Sequence, residues 1–377
     1  MAVRNVALFL ILALCGCGRS ANSGSASSSE TPAGPPFGVS VIATLDNPWA
    51  MTFMPDGRML VTEKSGKLVI VTQDGKVSAP LDGVPAVADA GQGGLADVVL
   101  HPDFASNSYV YLSYAEPGPD GASTLAVGRG KLTEVGIEGF QVLWRQEPMV
   151  KSAGHFSGRM AFSPDGYLFI TSGDRQLFTP AQDMNQNLGK IIRLSDAGGI
   201  PSDNPNYDEG RIKAQIWSSG HRNGLGLAFD SDGSLWEAEM GPRGGDELNL
   251  IMAGKNYGWP IVSNGRHYDG RAIPPHSTRP DFEAPRLSWN PVVSPSSLMF
   301  YSGDMFPAWK GSAFIGGLSS QSLVRHVFDD INPREADRFP MAARIREVEQ
   351  GPDGAIWLLE DGKSGGKLVK LIPPAGI

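Results

Sequence analysis

One short phrase recurs along the chain: an apolar strand, a Pro-Asp-Gly type turn, and a second apolar strand. It reads Met54-Pro55-Asp56-Gly57, His101-Pro102-Asp103-Phe104, Ser163-Pro164-Asp165-Gly166, Asp230-Ser231-Asp232-Gly233 and Gly351-Pro352-Asp353-Gly354, with a weaker copy at Tyr301-Ser302-Gly303-Asp304. A strand–turn–strand unit cannot bury both its faces alone, so six spaced copies must cover one another. The repeat predicts an all-β chain: a six-bladed β-propeller of four-stranded antiparallel blades. The first unit is the clearest, with runs at Met51-Thr52-Phe53, Arg58 to Glu63 and Lys67 to Thr72. Leu68-Val69-Ile70-Val71 is apolar on both faces, as expected where neighbouring blades cover a sheet on both sides.

Composition supports this reading. Of 377 residues, 47 are Gly and 29 Pro, while only 19% are charged; abundant turn formers with few charges suit many short strands. The net charge is −8 and no basic stripe is present, which argues against a nucleic-acid partner.

Arg4 precedes an apolar run from Val6 to Leu14, too short to span a bilayer and suited to a secretory signal. Leu14-Cys15-Gly16-Cys17 resembles a bacterial lipobox, implying cleavage before Cys17 and a lipid on its sulfur. The expected organisation is a signal segment over residues 1–17, a flexible Ser/Ala/Gly/Pro tether over 18–36, and one propeller over 37–377. The protein is accordingly expected to be exported, periplasmic and lipid-anchored. Both cysteines, Cys15 and Cys17, lie in the leader, so no disulfide or thiolate metal site supports the fold.

The turn aspartates are spaced more widely than the roughly 40–45 residues of a minimal blade. The surplus concentrates between Ile170 and Gln215 and between Glu239 and Trp289, and such insertions tend to gather on one binding face.

Within and around those segments runs a set of phrases in register: Gly91-Gln92-Gly93-Gly94-Leu95, His155-Phe156-Ser157-Gly158-Arg159, Gly220-His221-Arg222-Asn223, Gly241 to Leu248, Gly254 to Pro260, and Arg344-Ile345-Arg346. Together they resemble the soluble quinoprotein aldose (glucose/sorbosone) dehydrogenases, which use pyrroloquinoline quinone (PQQ) and calcium. The resemblance implies oxidation of the C1 hydroxyl of an aldose to a lactone, with electrons passed to an external quinone or cytochrome. It makes His155 the base for the hydroxyl proton, a task neutral imidazole suits near pH 7. It assigns Gln92, Arg222, Asn223, Tyr268, Arg344 and Arg346 to the cofactor, whose three carboxylates suit guanidinium forks. It assigns the carbonyls of Gly241 and Pro242 to a calcium that also grips the quinone. Glu247 and the carbonyl of Tyr257 fall to a second calcium, with Asp246 a weaker candidate there.

The chain departs from the family pattern in places. Ser319 stands at a cofactor position where relatives commonly carry Lys. Gly224-Leu225 replaces a frequent Pro-Gln pair, and Met240 a frequent His. Two rival readings share the fold: a calcium-dependent hydrolase such as a lactonase, which needs no carboxylate-binding arginines, and a non-catalytic propeller that binds peptide or glycan. Most tryptophans read as packing between blades, with Trp289 a candidate to border a sugar.

Overall fold

The computed structural model describes residues 35–362 and 365–374. The signal and lipobox readings, and nearly all of the tether, lie outside these residues. Phe37–Ile377 forms a compact unit made of six antiparallel sheets. Their innermost strands, Pro48–Phe53, Leu95–Leu100, Ser157–Phe162, Gly224–Phe229, Met299–Phe300 and Ile345–Gln350, abut one another in a closed ring. Each repeated turn joins an innermost strand to the second strand of the same blade. At four of them the glycine is left-handed: Gly57, Gly166, Gly233 and Gly354 have φ of 83°, 86°, 80° and 82°. Those angles strain any residue with a Cβ, which is why glycine ends the phrase.

Five sheets have four strands, and the first has three in its ladder, Pro48–Phe53, Met59–Glu63 and Lys67–Val71. Its fourth position is filled irregularly: Val77 bridges Val71, and the Ser78 and Leu81 amides donate to the Ile70 and Leu68 carbonyls. The expected four-stranded blade is here reduced to a ragged edge, because Ala79-Pro80 offers one fewer amide to a ladder. In the sixth blade the outer strand comes from the N-terminal end. Gly38–Leu45 pairs antiparallel with Gly366–Ile372, from Gly38 opposite Ile372 to Leu45 opposite Gly366. This pairing closes the ring.

The two apolar faces have separate destinations. Leu60, Leu68 and Ile70 pack against Val98, Val110 and Leu112 of the second blade. Their alternating neighbours Val61 and Val69 pack against Trp357, Leu359 and Leu368 of the sixth. Alternation along a strand thus sends consecutive apolar residues into two inter-blade cores, and each large side chain so buried contributes about 1.5–3 kcal/mol.

Arg159, on the third blade, closes the central channel. Its Nη1 lies 3.2 Å from Asp97 Oδ1 and contacts Glu347; its Nε donates to the Leu225 carbonyl at 2.8 Å and its Nη2 to the Ser296 carbonyl at 2.5 Å. The guanidinium sits 4.3 Å from the Trp49 ring centroid. One side chain therefore touches all five other blades.

The repeated turns lie at one end of the ring. Starts of innermost strands and ends of second strands lie at the other, which carries residues 173–189 and 240–245. The rest of the surplus, residues 195–215 and 252–286, leaves its third strand at the end of the repeated turns, since Leu194 pairs with Leu168 and Ile251 with Leu235 beside those turns.

Candidate active site

The end opposite the repeated turns draws residues from every blade to a cleft of about 730 Å³. Asn47, Trp49 and Lys64 come from the first blade, Gln92 from the second, Phe156 and Ser157 from the third, Asn223 and Met240 from the fourth, Ser294 and Leu318 from the fifth, and Arg344, Arg346 and Asp361 from the sixth. All precede or open an innermost strand or close a second one, so topology alone brings them together.

His155 stands at the rim of this cleft, two residues before Ser157–Phe162. It is buried, and its backbone is left-handed (φ 45°), as are Ser157, Arg175, Gln176 and Phe178 nearby. Such angles cost about 1 kcal/mol or more each and persist only where surroundings enforce them. Here Gln92 Oε1, on the cleft wall, accepts the His155 amide at 2.6 Å. A Cβ at Gly173 would collide with the His155 carbonyl, so this position must be glycine.

The His155 ring is oriented by Asp174, whose Oδ1 is 2.7 Å from Nδ1. An ionised carboxylate only accepts, so Nδ1 carries the hydrogen and Nε2 keeps its lone pair. Asp174 is itself fixed: Trp259 Nε1 donates to Oδ2 at 2.7 Å and the Gln176 amide to Oδ1 at 2.8 Å. Burial alone would raise the Asp174 carboxyl, yet the His155 and Trp259 hydrogen bonds and the nearby Arg222 charge hold it below its ordinary range. Burial pushes the His155 imidazole down, the Asp174 bond opposes this, and the Arg222 and Arg175 charges add to the lowering. The ring is therefore neutral at pH 7 and able to take a proton at Nε2.

Arg222 is buried beside it. Its Nη1 donates to the carbonyls of Met240 and Gly241, both at 2.8 Å, and its Nη2 to Tyr268 Oη at 3.2 Å. The guanidinium lies 5.3 Å from the Trp259 ring centroid. Tyr268 is largely exposed, at 70%. Asn223 accepts Ser157 Oγ at 3.2 Å, and its Nδ2 points to the Met240 sulfur at 3.7 Å. Across the cleft, Arg344 Nε and Arg346 Nη2 reach the two oxygens of Asp361 at 2.7 and 3.2 Å. Burial would raise the Asp361 carboxyl, but the two arginines keep it ionised and below its ordinary range. Ser319 is exposed and bonds Ser294 Oγ at 2.7 Å.

Gly241, Pro242, Glu247 and Tyr257 border one small cavity together with Arg222 and Glu239. Glu247 lies 3.2 Å from His276 Nε2. Asp246 accepts the Gly241, Val293 and Ser294 amides at 2.9, 2.8 and 2.6 Å, fixing the Gly241 turn. Burial pushes its carboxyl up to about 6 despite those bonds.

The structure thus gathers every site residue expected from sequence at one end of the ring. Sequence reasoning missed Asp174, Asp361 and Lys64, and read Trp259 as packing alone. A polar residue just past the end of a second strand is the signal: Asp174 lies two residues after Leu168–Ser172 and opens a long insertion, and Lys64 and Asp361 directly follow Met59–Glu63 and Ile356–Glu360. Trp289, on the fourth blade, packs against the fifth, with Nε1 3.1 Å from Glu335 and its ring edge-on to His326; it does not line the cleft.

The glucose/sorbosone dehydrogenase family matches over residues 45–370. Aldose sugar dehydrogenase YliI of Escherichia coli K12 is 41% identical over 337 residues, covering 87% of this chain and 91% of the relative. The crystal structure of the soluble aldose sugar dehydrogenase of E. coli in its apo form superposes with a TM-score of 0.85 at 40% identity, covering 89% of this chain and 99% of that one. The PQQ-bound aldose sugar dehydrogenase of Streptomyces coelicolor superposes at 0.71 with 26% identity, covering 90% of this chain and 99% of that one.

Proposed function

Because this chain belongs to the glucose/sorbosone dehydrogenase family, we propose that it is a PQQ-dependent aldose sugar dehydrogenase that oxidises the C1 hydroxyl of an aldose to the lactone. The observation that carries the reading is His155, held by Asp174 and kept neutral by burial, next to Phe156 and bonded through its amide to Gln92 on the wall of the cleft that Arg344 and Arg346 also line.

The residues fit the cofactor. Arg222 Nε and Arg346 Nε are buried with no acceptor, so donors remain for carboxylates that the protein itself does not supply. Gln92, Asn223 and Tyr268 add polar contacts near Arg222, and Ser319 offers a hydroxyl where a charge would bind more strongly. The Gly241 and Pro242 carbonyls are hard oxygen donors suited to Ca²⁺. The Gly241 carbonyl is bonded to Arg222, so cation and guanidinium would share it. Glu247 and the Tyr257 carbonyl suit a second calcium. When bound, the quinone accepts the C1 hydrogen as hydride and the calcium polarises it as a Lewis acid.

The chain's own part is proton handling and positioning. His155 Nε2 takes the C1 hydroxyl proton as the C1–H bond breaks, and Asp174 stabilises the imidazolium that forms. Arg222, already fixed by its own hydrogen bonds, would stabilise negative charge developing on a bound acceptor without reorganising. Its position is held by Glu239 Oε1, which accepts the Arg222 amide at 2.8 Å.

Electrons then leave to an external quinone or cytochrome. The leader supports export to the periplasm with a lipid anchor at Cys17. Reconstitution with PQQ and Ca²⁺, followed by dye reduction on a panel of aldoses, tests the reading. Turnover that requires both additions is expected; a protein that binds the quinone yet oxidises no aldose would overturn it.

A further inference from the structure

Behind the cleft wall lies a second buried constellation, between the third and fourth blades. His221 sits in the segment that crosses from the third blade's outer strand, Ile216–Ser219, to the fourth blade's inner strand. Glu237 and Glu239 lie on the fourth blade's second strand, Leu235–Glu239, two residues apart and so on one face. Across that ladder Glu237 faces Asn249 and Glu239 faces Glu247. His221, Glu237 and Glu239 are 2%, 0% and 5% exposed, and a ligand atom from each lies within 4.8 Å of the others.

Their polar atoms are close but unsatisfied. His221 Nδ1 is 2.9 Å from Glu237 Oε2 and 3.3 Å from Glu239 Oε2. Yet Nδ1, both oxygens of Glu237 and Oε2 of Glu239 are all buried without a hydrogen bond. The directions are wrong for one even though the separations are short. The Asn249 amide oxygen, opposite Glu237, is likewise buried and unpartnered. Buried carboxylates are ordinarily paired or bound to metal, and Glu237 has neither a hydrogen-bonded partner nor access to solvent.

The imidazole is also oriented as a ligand would be. Nε2 lies 2.8 Å from Ser218 Oγ, and the ring stacks on Tyr257 with centroids 4.7 Å apart. A hydroxyl accepting Nε2–H leaves the Nδ1 lone pair facing two carboxylates, the outer-shell arrangement that fixes metal-binding histidines. Without a cation between them, three lone-pair-bearing groups would converge. Donor atoms around a tetrahedral ion with bonds of about 2.0–2.1 Å stand roughly 3.3 Å apart, close to the separations seen here.

We propose that His221 Nδ1, Glu237 and Glu239 form a buried site for a divalent transition-metal ion of the zinc type. One imidazole nitrogen with two carboxylates favours such an ion over calcium, which takes oxygens alone. The site adjoins the cavity bordered by Gly241, Pro242, Glu247 and Tyr257, where calcium is proposed: Glu239 borders both, while His221 and Glu237 lie behind it and Glu247 has its own partner in His276. Its place explains a role: His221 directly precedes Arg222, and Glu239 already holds the Arg222 amide. An ion here would staple two blades and fix the backbone behind the cleft, and the inference stands whether or not the enzymatic reading holds.

The test uses the full-length protein, stripped with chelator, refilled with saturating Ca²⁺ and titrated with Zn²⁺ alone. One equivalent of Zn²⁺ should bind to the wild type and survive desalting. Glu237→Gln, nearly the same shape, should weaken it by roughly tenfold or more. Co²⁺ in place of Zn²⁺ should give visible d–d bands in the wild type that Glu237→Gln abolishes. Should that variant fail to fold, anomalous scattering at the zinc edge from wild-type crystals must place a peak between His221 and Glu237. A calcium-saturated wild type that retains no Zn²⁺, or binding unchanged in a folded Glu237→Gln, overturns the proposal in favour of an imidazolium held by two carboxylates.

Discussion

Replacing Asp174 with Asn removes one negative charge from behind His155 while keeping the shape of the side chain. The carboxylate accepts three hydrogen bonds, from His155, Trp259 and the Gln176 amide, at 2.7, 2.7 and 2.8 Å. A hydrogen bond to a charged group contributes about 1.5–3 kcal/mol against about 0.5–1.5 kcal/mol for a neutral one. The difference, about 1–2 kcal/mol, matters most when the ring carries its extra proton, so kcat should fall roughly 5–30-fold. If the amide turns its NH₂ to Nδ1, the imidazole is forced into the other tautomer and the loss should approach about 10⁴. The acid limb of the pH profile supplies an independent sign. Activity needs neutral His155, whose titration already lies below the usual imidazole value because of burial. Asp174 raises it, so Asp174→Asn should move the acid limb to lower pH even as kcat drops. The assay is dye-coupled aldose oxidation by the PQQ- and Ca²⁺-loaded protein across pH 4.5–8 (an interval of about two units either side of ordinary imidazole). A kcat within about twofold of wild type, with the acid limb unmoved, would refute the role given to this pair.

Further outcomes follow from the same geometry. Arg346→Ala removes a buried guanidinium with an unspent donor, and PQQ affinity measured by fluorescence quenching should weaken about 10–100-fold. Ser319→Lys places an ammonium at the exposed cleft edge, and PQQ should bind roughly fivefold more tightly at low salt, the gain fading as salt rises. Arg159→Met leaves Asp97 and Glu347 buried without their cation, and urea denaturation should show a loss of about 3–5 kcal/mol. Because burial already pushes the Asp97 and Glu347 carboxyls up, protonation should return part of that loss, making the variant's deficit smaller at pH 5 than at pH 8.

Much of this architecture was legible because it is written locally. A left-handed glycine after Pro-Asp marks Gly57, Gly166 and Gly354 without reference to anything distant, and apolar residues on both faces of a strand imply two neighbours. The site's family phrases were legible for a related reason, since all but Gly254 to Pro260 sit at or beside a strand end. What stayed hidden depends on contacts between distant segments. Asp174 earns its role from His155 and Trp259, 85 residues further along. The sixth blade's outer strand is supplied by Gly38–Leu45, which no local pattern announces. Glu237 looks like an ordinary polar residue on a strand until His221 is folded against it. The ragged fourth edge of the first blade reflects a Pro and a polar stretch whose effect only the ladder reveals.

The central claim is that His155 acts as the base beside a quinone held by this cleft, and His155→Ala separates those two functions. Single-turnover stopped-flow on the PQQ- and Ca²⁺-loaded variant, mixed with excess aldose, reads both: the absorbance change on loading reports binding, and its bleaching reports reduction. The account expects loading within about threefold of wild type and reduction slowed by about 10²–10⁴. Reduction at the wild-type rate in a fully loaded variant would contradict it.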